Sequence, residues 1–215
     1  MVGKNMKAFI YTGGNIYPEN ITERPKADDL RIAADGGYKN AALLGERVDI
    51  ALGDFDSLGT DADAIPDKVE KIKVPAEKDE TDTQLAVNTA LSRGADDILI
   101  IGGLDGRLDH TLSNLAILEA MSEMGVHCVI TNGQSRARYI RSTSTLIAKS
   151  GFDYLSVLAA DEKVKGVSIE GCKYPLKDAR LSRKFQYAVS NEIVGNCALI
   201  SVKKGGIFIV ESRDV

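Results

Sequence analysis

The chain has 215 residues, 44% of them hydrophobic, and a formal net charge of −4. That length supports one large domain or two small ones with a real core, and the acidic balance gives nucleic acid no basic field to bind. No apolar run is long enough for a secretory signal or a membrane span, so the expected location is cytoplasmic.

The first part alternates short apolar runs with helical patterns. Lys7 to Thr12 stops at Gly13-Gly14, Leu30 to Ala34 at Asp35-Gly36-Gly37, and Ile50 to Leu52 at Gly53-Asp54. Lys71 to Val74 stops at Pro75, Ile98 to Ile101 at Gly102-Gly103, and Val126 to Thr131 at Asn132-Gly133. Asp82 to Arg93 and Leu108 to Met124 read as helices. Near-continuous apolar strands alternating with helices predict a parallel sheet covered on both faces. After about Gln134 the pattern becomes a series of short β-like runs. These are Ala137–Ile140, Thr145–Ala148, Tyr154–Leu158, Val164–Ile169, Gln186–Ser190, Ala198–Val202 and Ile207–Glu211. Such spacing predicts an antiparallel sandwich or barrel, with a domain boundary near residues 133–140.

The acids follow the strands. Asp35 comes after Leu30–Ala34, and Asp54 and Asp56 after Ile50–Leu52; Asp79 and Asp82 come after Lys71–Val74, and Asp105 and Asp109 after Ile98–Ile101. In an open parallel sheet the carboxyl ends of the strands share one edge, where ligands bind. Four acidic loops are therefore expected to converge. Their mutual repulsion points to a hard cation, and Mg²⁺ takes oxygen ligands together with substrate phosphates. Asp54 and Asp56, two apart in an extended segment, would point the same way. Asp82 also fits a helix start, with Thr81 as N-cap and Gln84 completing a capping box. Lys78 and Arg107 are the basic residues available for phosphate, and the glycine pairs, Gly36 and Gly103 among them, permit close approach of backbone to a nucleotide. His110 is a candidate general base or a surface residue; His127 reads as structural. Cys128, Cys172 and Cys197 form no C-x-x-C pair, so they are expected to be reduced, buried thiols.

Taken together, ADGG at 34–37, GDFDS at 53–57, EKDETD at 77–82 and GGLDGRLDH at 102–110 resemble the thiamine pyrophosphokinases in their bacterial form. GCKYPL at 171–176 and SNE at 190–192 resemble the second-domain motifs of the same family. The resemblance implies a Rossmann-like, parallel-sheet α/β domain over residues 1–135 that holds ATP and Mg²⁺. It implies a C-terminal antiparallel β-sandwich over 136–215 for thiamine binding and dimerisation. The homodimer would carry its active sites at the subunit interface and convert thiamine and ATP to thiamine diphosphate and AMP. Carried over residue by residue, Asp54, Asp56 and Asp82 match the metal-binding and catalytic acids, with Asp35 near the same centre. Lys78, Asp79, Arg107 and Asp109 match positions near the phosphates, and Ser190 and Asn191 positions close to thiamine. Some relatives stack thiamine on a tryptophan, which this chain lacks. Tyr174, Phe185 and Tyr187 could replace it, although each reads individually as core. The competing readings are a transferase for another small alcohol, a nucleotide-binding sensor and a structural metal-binding protein.

Overall fold

A computed structural model describes residues 6–53, 65–74 and 79–214. The chain divides into two compact units, residues 1–117 with 125–133, and 118–124 with 134–215. Among the described residues no helix is long and apolar enough to cross a membrane.

The first unit carries β1 (Lys7–Tyr11), β2 (Leu30–Ala34), α1 (Gly37–Leu43), β3 (Ile50–Gly53), β4 (Glu70–Lys73), α2 (Asp82–Ser92), β5 (Asp97–Ile101), most of α3 (Leu108–Glu123) and β6 (His127–Thr131). Its strands lie in the order β4-β3-β2-β1-β5-β6, with every pair parallel. The chain thus builds the sheet outward from β1 to β4, then returns to add β5 and β6 on the other side. The loops leaving β1 and β5 therefore diverge at a topological switch point, where open parallel sheets bind their ligands. Burial explains the apolar runs: β1, β2, β5 and β6 are buried in all but their first residue, and β3 throughout. A strand covered on both faces shows no polar alternation. β4 (EKIK) is the exception, since it is the edge strand and its lysines and glutamate keep that edge wet.

The second unit carries β7 (Ser135–Arg141), β8 (Ser144–Ala148), β9 (Tyr154–Ala159), β10 (Val164–Glu170), β11 (Leu176–Leu181), β12 (Cys197–Ser201) and β13 (Gly206–Ser212). β7-β13-β9 pair antiparallel, as do β11-β10-β12-β8. Here burial alternates, as along β9, because each sheet has one apolar face. Those faces share a core that includes Val157, Val167, Ile200, Ile207 and Ile209.

Several expectations change. Gln186–Ser190 is not a strand, because Ser190 takes a positive φ of 53°. The segment still meets the edge of β9 at separate points: Val157 N donates to Ala188 O at 2.7 Å, and the Gln186 side chain accepts from Ala159 N at 3.0 Å and donates to Ala159 O at 3.1 Å. β11 escaped sequence reading because it is polar and irregular, with register shifts against β10 and a positive φ at Asp178. Cys128 and Cys172 are buried as expected, but Cys197 is exposed. Tyr174, Phe185 and Tyr187 are exposed rather than core.

Candidate active site

At the switch point the first unit holds a cavity of about 650 Å³. Thr12, Gly13 and Gly14 reach it from the end of β1, and Ala34 and Asp35 from the end of β2. Glu80 to Thr83 bring the start of α2; Gly103 and Asp105 to Arg107 come from the loop after β5, and His110 and Asn114 from α3.

Asp35 is held in an unusual way. Its φ is 48°, the left-handed region that aspartate tolerates better than most residues at a cost of order 1 kcal/mol. Its amide donates to Leu52 O at 2.8 Å. This conformation turns the chain sharply off β2 at the cavity rim. Two residues on, a Cβ on Gly37 would stand 1.9 Å from Tyr11 O, so that glycine serves the close packing of α1 on β1. Gly36 does not line the cavity, whereas Gly103 does.

Asp82 is the first residue of α2, and Thr81 Oγ1 caps the helix by accepting from Gln84 N at 3.2 Å. The capping box is half made, because the Gln84 side chain donates instead to Asn88 Oδ1 at 3.1 Å. An acid in this first turn is favoured by the helix dipole and presented to the cavity. Asp105 is differently employed: Oδ2 accepts from Asn15 Nδ2 and Oδ1 from Gly106 N, both at 2.7 Å. It ties the loop after β1 to the loop after β5. Arg107 lines the cavity while its Nη2 and Nε meet Asp109 at 2.6 and 3.2 Å. That hydrogen bond first, then one from the His110 amide and the charge of the guanidinium, hold the Asp109 carboxyl below the usual carboxylate range. Asp79 is exposed and does not line the cavity; Asp54, Asp56 and Lys78 lie outside the described residues.

In the second unit, Asn191 is 3% exposed. Its Oδ1 accepts from Tyr174 N and Glu192 N, each at 2.9 Å, and its Nδ2 donates to Tyr174 O at 2.7 Å. The side chain is thus a clip for Tyr174. Together they line a cavity of about 260 Å³ with Leu176, Tyr187 and Val189. Ser190 is exposed beside it, its amide bonded to Ser156 Oγ at 3.0 Å. The ring centroids of Phe185 and Tyr187 lie 5.8 Å apart.

Comparison with known proteins gives a consistent result. Residues 22–130 match the thiamin pyrophosphokinase catalytic domain, and residues 143–207 the thiamin pyrophosphokinase vitamin B1 binding domain. The chain belongs to the thiamine pyrophosphokinase family. Thiamine pyrophosphokinase of Bacillus subtilis is 29% identical over 213 residues, covering 95% of this chain and 98% of the relative. The crystal structure of thiamine pyrophosphokinase from Bacillus subtilis superposes with a TM-score of 0.88 at 26% identity, covering 98% of this chain and all of that one (100%). A thiamin pyrophosphokinase family protein from Enterococcus faecalis gives 0.83 at 28% identity, over 99% of this chain and 100% of its own.

Sequence reasoning did not single out Asn40 or Asn114, both buried polar residues. For Asn114 a signal existed, since it shares a helical stripe with Ile117, Leu118 and Met121, where an amide needs a reason.

Proposed function

We propose that the chain transfers the diphosphate group of ATP to the hydroxyl of thiamine, releasing thiamine diphosphate and AMP. Beyond family membership, one observation carries the reading. Two glycine loops and the acids Asp35 and Asp82 surround a cavity of about 650 Å³ at the switch point of a parallel sheet. In the proposed step the thiamine hydroxyl oxygen bonds to the β-phosphorus. The bond from that phosphorus to the α–β bridging oxygen breaks, its electron pair leaving with AMP. Asp82 or Asp56 accepts the hydroxyl proton. Such transfer depends mostly on placement and charge neutralisation.

Mg²⁺ suits the donor set. The cavity offers carboxylates and hydroxyls, with no thiol among its described lining residues, and Mg²⁺ prefers oxygen. Among the described residues no cluster of three or more His, Cys, Asp or Glu could hold an ion. The assigned holders are Asp82 with Asp54 and Asp56, the latter two outside the described residues. When bound, the ion would neutralise polyphosphate charge. For ATP we assign Lys78 and Arg107 to the phosphates, Asp79 and Asp109 beside them, and Gly36 and Gly103 to close backbone approach. For thiamine we assign Ser190 and Asn191, with Asn191 acting through Tyr174, whose ring can meet a cationic heterocycle.

The finer architecture follows the same reading, with a Rossmann-like ATP domain (1–135) and a β-sandwich for thiamine binding and dimerisation (136–215), in the cytoplasm. A homodimer with active sites at the subunit interface is supported by the exposure of Tyr174, Phe185, Tyr187, Val189 and Val194 on the second unit.

The test is an assay of AMP and thiamine diphosphate with ATP, Mg²⁺ and thiamine, alongside an EDTA control. AMP formed only when thiamine and metal are both present is the expected result. ADP in its place would mean single-phosphate transfer, and no thiamine-dependent turnover would leave only a nucleotide site. Asp54→Asn should abolish turnover with the fold retained; an active variant would sink the metal assignment.

A further inference from the structure

The glycine loops around the cavity have a feature that the acids do not explain, since the carbonyls of Thr12, Gly13, Gly14 and Gly103 are already engaged. Thr12 O and Gly14 O both accept from Asn40 Nδ2, at 2.6 and 3.0 Å. Gly13 O accepts from Gly103 N at 3.0 Å. Gly103 O accepts from Asn114 Nδ2 at 2.9 Å. The two amides are deeply placed, Asn40 at 6% and Asn114 at 4% exposure. Asn40 stands on α1 and is not itself a lining residue, so it reaches the loop from behind. Its orientation is dictated by chemistry, because a flipped amide would aim its own carbonyl at two others while its two N–H donors went unused.

The donors of the same loop are disposed differently. Among the described residues, none accepts from the amides of Gly13 or Gly14. The φ angle turns positive at Gly14, to 92°, directly after Gly13. Successive amides with such a change of hand converge on one point and favour an anion. A carbonyl turned into the cavity would do the opposite, setting its negative end against a polyphosphate.

We propose that Asn40 and Asn114 are positioning residues for the nucleotide phosphates: by engaging the carbonyls of Thr12, Gly14 and Gly103, they leave the amides of Gly13 and Gly14 as the donors that the glycine wall offers an anion. The inference rests on the reading of this cavity as the ATP site. It also explains why polar amides occupy buried positions that an apolar side chain of equal size would fill with no desolvation cost.

Steady-state kinetics of the full chain test it. Asn40→Leu keeps the volume and removes both donors; Asn40→Ser keeps one. KM for ATP should rise about tenfold in Asn40→Leu and less in Asn40→Ser, the scale of a lost buried hydrogen bond. KM for thiamine should stay within about twofold, because the loss is confined to the phosphate wall. A folded Asn40→Leu with an unchanged KM for ATP overturns the proposal, as does an equal rise for both substrates. Should Asn40→Leu not fold, Asn114→Leu, which frees Gly103 O alone, decides the same comparison. If neither folds, the amides serve stability only and the proposal falls. Wild type measured in parallel separates the two levels: failure to release AMP sinks the ATP reading itself, whereas an active wild type with unmoved variants sinks only the positioning role.

Discussion

The two ends of the parallel sheet hold cavities of nearly equal size, about 650 Å³ at the carboxyl end and 640 Å³ at the amino end. Their linings differ in the balance of acid and base. At the amino end Lys7 Nζ lies between Glu23 at 2.7 Å and Asp97 at 2.9 Å, and Asp97 also meets His127 Nδ1 at 2.8 Å. Arg31, 4% exposed, reaches Asp49 at 3.4 Å and donates to Asp29 O at 2.7 Å. Each of these acids has a base beside it. At the carboxyl end Asp35, Glu80, Asp82 and Asp105 share one cavity with Arg107 as the single permanent cation among the described lining residues. Like charges gathered in this way raise the energy of the empty protein. A fold keeps acids crowded in this way where a ligand compensates them, and balances acid with base where the charges serve only as scaffold.

The largest consequence of this contrast falls on Asp82. Asp82→Asn should lower turnover by about 100-fold or more, as loss of a group that stabilises a charged transition state does. Stability should fall by about 1 kcal/mol, the scale of a weakened interaction between a first-turn acid and the α2 dipole, because Thr81 still caps the helix. Turnover and urea midpoints measured together decide it. A variant with full turnover and a lowered midpoint would make Asp82 a helix-start residue and nothing more.

The reverse pattern is expected at the amino end. Asp97→Asn should leave turnover unchanged and cost about 1 kcal/mol of stability. Its pH dependence is specific. Burial pushes the Asp97 carboxyl up, but hydrogen bonds from His127 and Lys7 outweigh it and leave it below the usual carboxylate range. A depressed acid contributes stability that is complete above its unfolded value and is lost as pH falls through the folded one, so the gap between wild type and variant should close below about pH 4. Lys7 works with the opposite sign. Burial pushes it down, contacts with Glu23 and Asp97 win, and the ammonium is held above its ordinary range. Its contribution is complete below about pH 10 and is lost as pH rises through the folded value. Urea denaturation along both limbs checks this, and an acid limb unchanged in Asp97→Asn would refute the pairing argument.

How much of this was legible in the sequence depended on whether a residue's environment leaves a periodic mark. β1, β2, β3, β5 and β6 could be read because strands buried on both faces must be apolar throughout, and the acids could be read because they recur where such strands stop. β11 could not, since a polar, bulged strand looks like a loop. The outward turn of Tyr174, Phe185 and Tyr187 was hidden for a related reason: an aromatic in a β-rich segment is most often core, and nothing local marks the exception. Asn40 and Asn114 were hidden more deeply. Their partners are backbone carbonyls 28, 26 and 11 residues away along the chain, set by tertiary packing rather than by any motif.

The finest test of the contrast between the two ends concerns a pair at the carboxyl end. Arg107 and Asp109 meet at 2.6 Å, yet their side chains are 74% and 63% exposed. An ion pair this wet adds little to stability, so Asp109→Asn should move the urea midpoint less than Asp97→Asn does, through its place in the first turn of α3 alone. What the pair does is hold the guanidinium by two donors at the rim of the cavity. Releasing it should move KM for ATP by about two- to threefold, an effect that added salt diminishes. A midpoint shift matching that of Asp97→Asn would break the comparison, because the carboxyl end would then hold paired charges for the same reason as the amino end. A change confined to KM would mean that even the paired acid at this end serves the ligand rather than the fold.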